Sequence, residues 1–343
     1  MKNAKDDLLF IAEVSANHLG SLNRARKIVE AAAENGANAI KFQTYTADTM
    51  TINSKLPNFR VSDEHSLWGG RSLYDLYQEA FTPWEWHKEL FELCRRKGVI
   101  PFSSPFDITA VDFLESIDSP MYKVASLETG DHALIRKIAQ TGKPMIISTG
   151  ATTFSEIQEF MQVILATGNS QVTLLVCTSA YPSEPTDAHI SRIKTLRDAF
   201  GVRVGLSDHT LGIGVSIAAI ALGASAIEKH ITLKRTDGGA DAAFSLEPKE
   251  FGNLVKEGRA ALDSIGNPNW NVLESEKESR RLRRSLYVVE DVRMGDLVTP
   301  FNIRSIRPGG GAPPKLIDSF LGKFFSKDTN AGTPLSYDLI KEK

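Results

Sequence analysis

The feature that most constrains this chain is a repeat of pattern rather than of sequence. Between residues 8 and 264, a short apolar run ending in polar residues is followed by an amphipathic stretch, eight times over. The first unit shows the form. Leu8-Leu9-Phe10-Ile11-Ala12-Glu13 is apolar and ends acidic, and residues 21–35 then place Ala25, Ile28, Val29 and Ala32 on one helical face, with Gly36 as the stop. Further strands are expected at 39–43, 100–104, 122–126, 145–148, 172–177, from 204 and from 226, with helices near 84–97, 110–116, 132–140, 154–167, 190–200, 215–222 and 248–264. Eight strand-then-helix units are what a (β/α)8 TIM barrel requires. The rival, a doubly wound open sheet, asks for a glycine-rich first turn, and Ser15-Ala16-Asn17-His18-Leu19-Gly20 does not have the Gly-x-Gly-x-x-Gly form. The expected fold is therefore α/β, a TIM barrel over 1–266.

Residues 46–82 break the rhythm with an excursion rich in aromatic and basic residues: Phe59, Arg60, Trp68, Arg71, Tyr74 and Tyr77. A loop this long is either a lid over a site or a packed surface excursion. After Gly266 the composition changes again. Residues 267–284 read as a linker, densely charged from Glu274 to Arg284. Residues 285–343 form a small turn-rich module, marginal as an independent core and so expected to dock on something.

In a barrel, the strand ends share one mouth. Here they carry Glu13, Lys41 with Gln43, Ser103 with Ser104, Lys123 with Ser126, Ser148 with Thr149, Thr178 with Ser179, Ser207 with His209, and Glu228 with His230. Side chains alternate along a strand, so each spaced pair faces one way. A single histidine at a strand end is as easily a satisfied polar residue. The recurrence is what makes core filling a poor account, because unpaired buried charges cost several kcal/mol each. Two imidazoles from neighbouring strands suit one divalent metal.

The net charge of -2 gives no electrostatic case for nucleic acid or an anionic membrane as partner. Cys94 and Cys177 form no disulfide framework and no Cys-x-x-Cys site, which points to a reducing compartment. Residues 1–7 are polar, without a signal-peptide core, and no apolar run is long enough to span a membrane. A cytoplasmic protein is expected. Cys177 is expected in the core, and His65, His87, His132 and His189 on the surface or in loops. His18 sits at the mouth without a required ligand.

Lysines with serine hydroxyls suit a phosphate and a carboxylate, and a metal suits a carbonyl oxygen. Together they point to a small phosphorylated acid reacting with an aldehyde. A sugar-phosphate isomerase or aldolase stays open, including one using Lys41 or Lys123 as a Schiff-base amine. So does a barrel that binds sugar without turnover.

Ile11-Ala12-Glu13-Val14-Ser15-Ala16-Asn17-His18, Lys41-Phe42-Gln43, Tyr122-Lys123-Val124-Ala125-Ser126, Ser148-Thr149-Gly150, the segment 205–210 and Glu228-Lys229-His230 together resemble the sialic acid synthase family. The C-terminal module is similar to that family's antifreeze-like (SAF) domain, centred on Ser305-Ile306-Arg307-Pro308. Ser15-Ala16-Asn17-His18, Leu67-Trp68 leading into 71–77, and Phe244-Ser245-Leu246 resemble the branch whose acceptor is a 2,4-diacetamido-2,4,6-trideoxy-altrose. The resemblance implies condensation of phosphoenolpyruvate with an N-acylated amino-sugar, to a nine-carbon 2-keto acid and phosphate. It also implies a divalent metal, Mn2+ or Mg2+ with Co2+ a further candidate. It implies a homodimer in which each small domain covers the partner's barrel mouth.

Carried over residue by residue, Lys41 and Ser207 hold the phosphoenolpyruvate carboxylate, and Lys123, Ser104, Ser126 and Ser148 its phosphate. His209 and His230 bind the metal. Gln43, Glu128, Tyr181 and Asp241 contact the sugar, and Arg307 reaches it across the dimer. Glu13 orients or deprotonates water. Ser179 and Arg71 stand where sialic acid synthases carry Asn, which sets this chain apart near the ligands. Mannosamine-type and legionaminic-precursor acceptors remain alternatives.

Overall fold

The computed structural model describes residues 8–61 and 68–342. Residues 1–7, His65 and Leu67, on which three of the expectations above fall, lie outside them. The chain divides into two compact units, Met1–Gly266 and Asn267–Lys343.

Eight strands close the first unit into a parallel barrel in sequence order. β1 is Leu9–Glu13 and is followed by α1, Leu22–Glu34. The Ser21 hydroxyl caps α1 by accepting from Arg24 N, and Ala25, Ile28, Val29 and Ala32 are its buried face, as their spacing predicts. β2 is Ala39–Thr44. Among its described residues, the excursion after it holds the helices α2 (Ala47–Met50) and α3 (Leu73–Ala80) and the antiparallel bridge Arg60–Ser72. The following helices and strands are α4 (Trp84–Arg96), β3 (Ile100–Pro105), α5 (Ile108–Ser116), β4 (Tyr122–Val124), α6 (His132–Ala139), β5 (Met145–Ser148), α7 (Phe154–Leu165), β6 (Val172–Cys177), α8 (Arg192–Phe200), β7 (Arg203–Asp208), α9 (Gly214–Ala221), β8 (Ala226–His230) and α10 (Pro248–Ile265). β8 pairs back onto β1, with Glu13 opposite His230.

Alternation along the strands builds two cores. Phe10, Ala12, Ile40, Phe42 and Val124 point outward and pack against the helices. Ile11, Ala39, Phe102, Ile146, Leu175 and Ala226 point inward and fill the barrel floor. Polar residues take the next inward positions towards the carboxyl ends, so the floor is dry and the mouth is not. Gly205 is required in this packing, since a Cβ there would lie 2.3 Å from Ala226 O on the neighbouring strand.

The structure revises several expectations. β4 ends at Val124, and Ser126 falls in a 3-10 turn, Ser126–Glu128. α5 starts two residues early because the Asp107 carboxylate caps it at Thr109 and Ala110 N. His87 is not a surface residue. It is fully buried on α4, its Nε2 bonded to Thr44 Oγ1 at 2.8 Å. Its helical spacing from Leu90, Phe91 and Cys94 carried that signal. His189 is exposed, as expected, and His132 is half-buried at the start of α6.

In the second unit, residues 267–284 are exposed and include a short helix, α11 (Lys277–Arg281). β9 (Ser285–Val288) pairs antiparallel with β10 (Ile303–Ile306), and β11 (Phe324–Phe325) with β12 (Ile340–Lys341). Leu286, Val288, Val298, Ile303, Phe320, Phe325 and Leu335 make a core of their own. Arg307 is exposed and precedes Pro308 through a cis bond.

Candidate active site

A cavity of about 650 Å³ opens at the carboxyl ends of the barrel strands, a size that suits small-molecule ligands. Glu228 is the centre of its base. One carboxylate oxygen, Oε1, is 2.9 Å from Lys41 Nζ, 3.9 Å from Lys123 Nζ, and accepts from Ser207 Oγ at 3.2 Å. Lys41 also pairs with Glu13 Oε2 at 3.4 Å, while Gln43 Nε2 donates to Glu13 Oε1 at 2.8 Å. Lys123 Nζ donates to Ser148 Oγ at 2.7 Å. Four strands thus deliver two ammonium groups and two carboxylates to one water-poor spot.

Burial and these neighbours set the charges. Burial drives the Glu13 carboxyl up to about 7; Lys41 opposes this and Glu228 adds to it. Glu13 can therefore hold or release a proton near neutrality. Burial also works against ionised Glu228, but Lys123 and Lys41 outweigh it and hold that carboxyl below its usual range. Burial lowers Lys123 to about 8. Lys41 suffers the same desolvation, and Glu13 with Glu228 nonetheless keep it raised.

Several buried polar atoms here have no hydrogen-bond partner: Glu228 Oε2, Ser179 Oγ, Glu128 Oε2 and His230 Nδ1. Native interiors rarely leave such groups alone, and a cavity with several of them is built for a bound polar molecule. Gly150 adds a cradle. Its N–H donates to Ser126 Oγ at 3.1 Å, and a Cβ there would lie 2.3 Å from Ser179 Oγ and 2.8 Å from Ser126 Oγ.

His209 and His230 face each other with ring centroids 5.4 Å apart. His209 Nδ1 donates to Thr178 O at 2.9 Å, which leaves Nε2 as the nitrogen that can meet a cation. Burial works against the charge of this imidazole, but Cys177, Thr178 O and Glu228 outweigh it and raise it above its ordinary value. Burial, then the His209 and Lys41 charges, push His230 well below the usual imidazole range, so it is neutral. His230 as a neutral ring, and His209 through Nε2 once its proton is displaced, fit a divalent cation as two nitrogen donors. Among the described residues no cluster of three or more His, Cys, Asp or Glu has metal-holding geometry. The protein side of such a site is the two imidazoles.

Of the sequence-predicted residues, Glu13, Lys41, Gln43, Lys123, Ser126, Glu128, Ser148, Ser179, Tyr181, Ser207, His209, His230 and Asp241 all line this cavity. Ser104 is not among the lining residues; it is buried beside Gln43 in the β2–β3 register. Tyr181 packs on His209 at 4.4 Å between ring centroids. Asp241 accepts from Ser15 Oγ and from Ala16 N at 3.3 Å. Arg71 does not line it; its guanidinium pairs with Glu79 on the surface. Arg307 belongs to the second unit.

His18 is a fastening, with Nε2 on Thr82 Oγ1 and Nδ1 on Gly20 N. Asn17 likewise ties the first loop to Ile231 O and Ser245 Oγ. Three groups carry more than their sequence positions disclosed. Glu228 was visible as the strand partner of His230 but not as the bridge between the lysines. Cys177 is buried as expected, yet its thiol faces the cavity, 3.9 Å from His209 Nδ1. Trp68 closes one side, donating from Nε1 to Ala240 O at 3.2 Å.

A barrel mouth with paired ammonium groups, a serine cradle and two imidazoles suits an enzyme that acts on a small phosphorylated acid and a carbonyl compound. The chain belongs to the NeuB family, whose model matches residues 28–269, with a SAF domain over 283–341. It is 43% identical to the pseudaminic acid synthase of Helicobacter pylori, over 96% of this chain and 97% of that one. It is 34% identical to the N,N'-diacetyllegionaminic acid synthase of Campylobacter jejuni subsp. jejuni serotype O:2, over 93% and 96%. Among solved structures it is similar to the N-acetylneuraminic acid synthetase of Leptospira borgpetersenii in complex with citrate, with TM-score 0.71 and 32% identity over 80% of this chain and 90% of that one.

Proposed function

We propose that this chain is a pseudaminic acid synthase. It condenses phosphoenolpyruvate with 2,4-diacetamido-2,4,6-trideoxy-β-L-altropyranose and water, and releases pseudaminic acid and phosphate. The observation that carries this is the Lys41–Glu228–Lys123 bridge beside the facing histidines, in a chain 43% identical over nearly its whole length to a pseudaminic acid synthase.

Lys41 and Ser207 bind the carboxylate of phosphoenolpyruvate. Lys123, Ser148, Ser126 and Ser104 bind the phosphate, helped by the glycine cradle at 150. Gln43, Glu128, Tyr181 and Asp241 orient the open-chain sugar so that its aldehyde carbon meets C3 of the enol. His209 and His230 are the donors for a divalent cation, Mn2+ or Mg2+, which when bound polarises the aldehyde oxygen. As C3 bonds to the aldehyde carbon, C2 becomes cationic, and the buried lysines already neutralise the anionic ends of the substrate. Glu13 takes a proton from the water that adds to C2, which balances the proton gained by the former aldehyde oxygen as it becomes a hydroxyl. The tetrahedral C2 then collapses to the ketone: its C2–O bond to phosphate breaks, and the proton of the new C2 hydroxyl leaves with the phosphate. The proposal includes a homodimer in which Arg307 serves the partner's barrel, supported by the SAF match and the exposure of that guanidinium. No helix among the described residues is long and apolar enough to cross a membrane, and a cytoplasmic location is part of the same proposal.

The test is phosphate release from phosphoenolpyruvate with Mn2+, across the altrose sugar, N-acetylmannosamine and the legionaminic precursor. Release with the altrose sugar alone, lost on adding EDTA, supports the proposal. Release with another sugar moves the substrate within the family, and none with any acceptor refutes turnover.

A further inference from the structure

The cavity has two unlike halves. Its base is charged and hydroxylated. Another part of its lining is apolar and comes from the excursion after β2: Met50, Val61, Trp68, Leu73 and Leu76. Trp68 has already given its only donor to Ala240 O, so the cavity meets carbon atoms of the indole. The described residues on either side of Trp68 are tied to each other. Val61 N donates to Arg71 O at 2.9 Å and Gly70 N to Val61 O at 3.0 Å, while the Ser72 hydroxyl caps α3. The wall begins one ring beyond the histidines: Tyr181 packs on His209, and Trp68 packs on Tyr181 with centroids 5.8 Å apart. A sugar chain with its aldehyde at the histidines would run along Tyr181 to meet Trp68 at its far end.

We propose that the apolar wall formed by Met50, Val61, Trp68, Leu73 and Leu76 selects acceptors whose far end is a methyl group rather than a hydroxymethyl. The inference rests on the assigned synthase activity and deepens it. A hydroxyl pressed on this wall leaves water and gains no partner, which is unfavourable. Hydrophobic surfaces discriminate against an added hydroxyl by about 100-fold. The wall reads the missing oxygen at C6. It does not read ring stereochemistry, which falls to the polar contacts of Gln43, Glu128 and Asp241.

The experiment compares kcat/KM for 2,4-diacetamido-2,4,6-trideoxy-altrose with its 6-hydroxy counterpart, with phosphoenolpyruvate saturating. It is run on the full chain and on Val61→Thr and Met50→Gln. The wild-type ratio is expected near 100 in favour of the deoxy sugar. Each variant should bring it down about tenfold, with the KM for phosphoenolpyruvate unchanged, which also reports an intact base. A wild-type ratio near one with good turnover of both sugars overturns the wall and leaves the synthase assignment standing. A ratio that stays high in both folded variants overturns these residues as its origin. Turnover of neither altrose sugar removes the synthase assignment and this inference with it.

Discussion

Two buried ion clusters meet on β8 one residue apart, and they face opposite ways. Glu228 points into the barrel and joins Lys41 and Lys123. Lys229 points out against the helices and joins Asp208 at 2.9 Å. The outer cluster is complete. Asp208 Oδ1 accepts from Thr210 N and Oγ1, Oδ2 accepts from Ser216 Oγ, and Lys229 Nζ also donates to Thr210 O. The inner cluster is incomplete, with Glu228 Oε2, Ser104 Oγ and His230 Nδ1 unpartnered. Burial is similar in both, so burial does not separate them. Satisfaction does: a closed network holds the turn that presents His209, and an open one awaits a substrate.

Substitutions should divide along that line. The largest effect is expected inside. His230→Ala should lower kcat/KM by about 10⁴-fold while the melting temperature barely moves, because an apolar side chain relieves a buried unpaired nitrogen. Full activity in this variant, with a chelator present, would refute the paired-imidazole site. Outside, Lys229→Met should cost about 3–5 kcal/mol of stability by stranding Asp208. In denaturant titrations, Asp208→Leu with Lys229→Met should recover much of that loss. Equal losses in the single and double variants would break the comparison.

Two buried imidazoles outside the inner cluster sharpen it. Burial lowers both His18 and His87 to about 4. Between there and the unfolded value near 6.5, the unfolded chain binds protons that the native chain refuses. Stability is therefore full above about 6.5 and falls with pH through this window, by about 3 kcal/mol for each imidazole. Replacing either with a neutral isostere such as Gln should flatten that slope, as read from melts at pH 7 and pH 4.5. The smallest effect is expected from removing residues 285–343. Turnover should fall about 10- to 100-fold, roughly 1.4–2.7 kcal/mol, while the barrel stays folded. Unchanged kinetics in the truncated chain would remove the role proposed for Arg307.

Much of the site was legible because a strand alternates strictly. Once Lys41 and Gln43 were set against Ile40 and Phe42, their direction followed, and the same step placed Glu13, Ser148, Ser207 and His230. Arg71 was not legible in this way. It lies in the excursion, where no period fixes direction, and the structure spends it on Glu79. Trp68 was legible only as part of a stretch that could be a lid, and not as a particular wall of the cavity, for the same reason. Lys229 illustrates the converse: alternation with Glu228 and His230 already placed it outside the barrel, away from the chemistry.

By itself, then, the sequence determined the eightfold alternation, the barrel it closes into, and the set of polar side chains that reach the mouth. These are local consequences of period and of strand ends. Only the tertiary structure decided which of those groups touch. The Glu228 bridge, the Gly150 cradle and the Trp68 clamp join residues far apart in sequence, and their distances depend on how the strands stagger as the barrel closes.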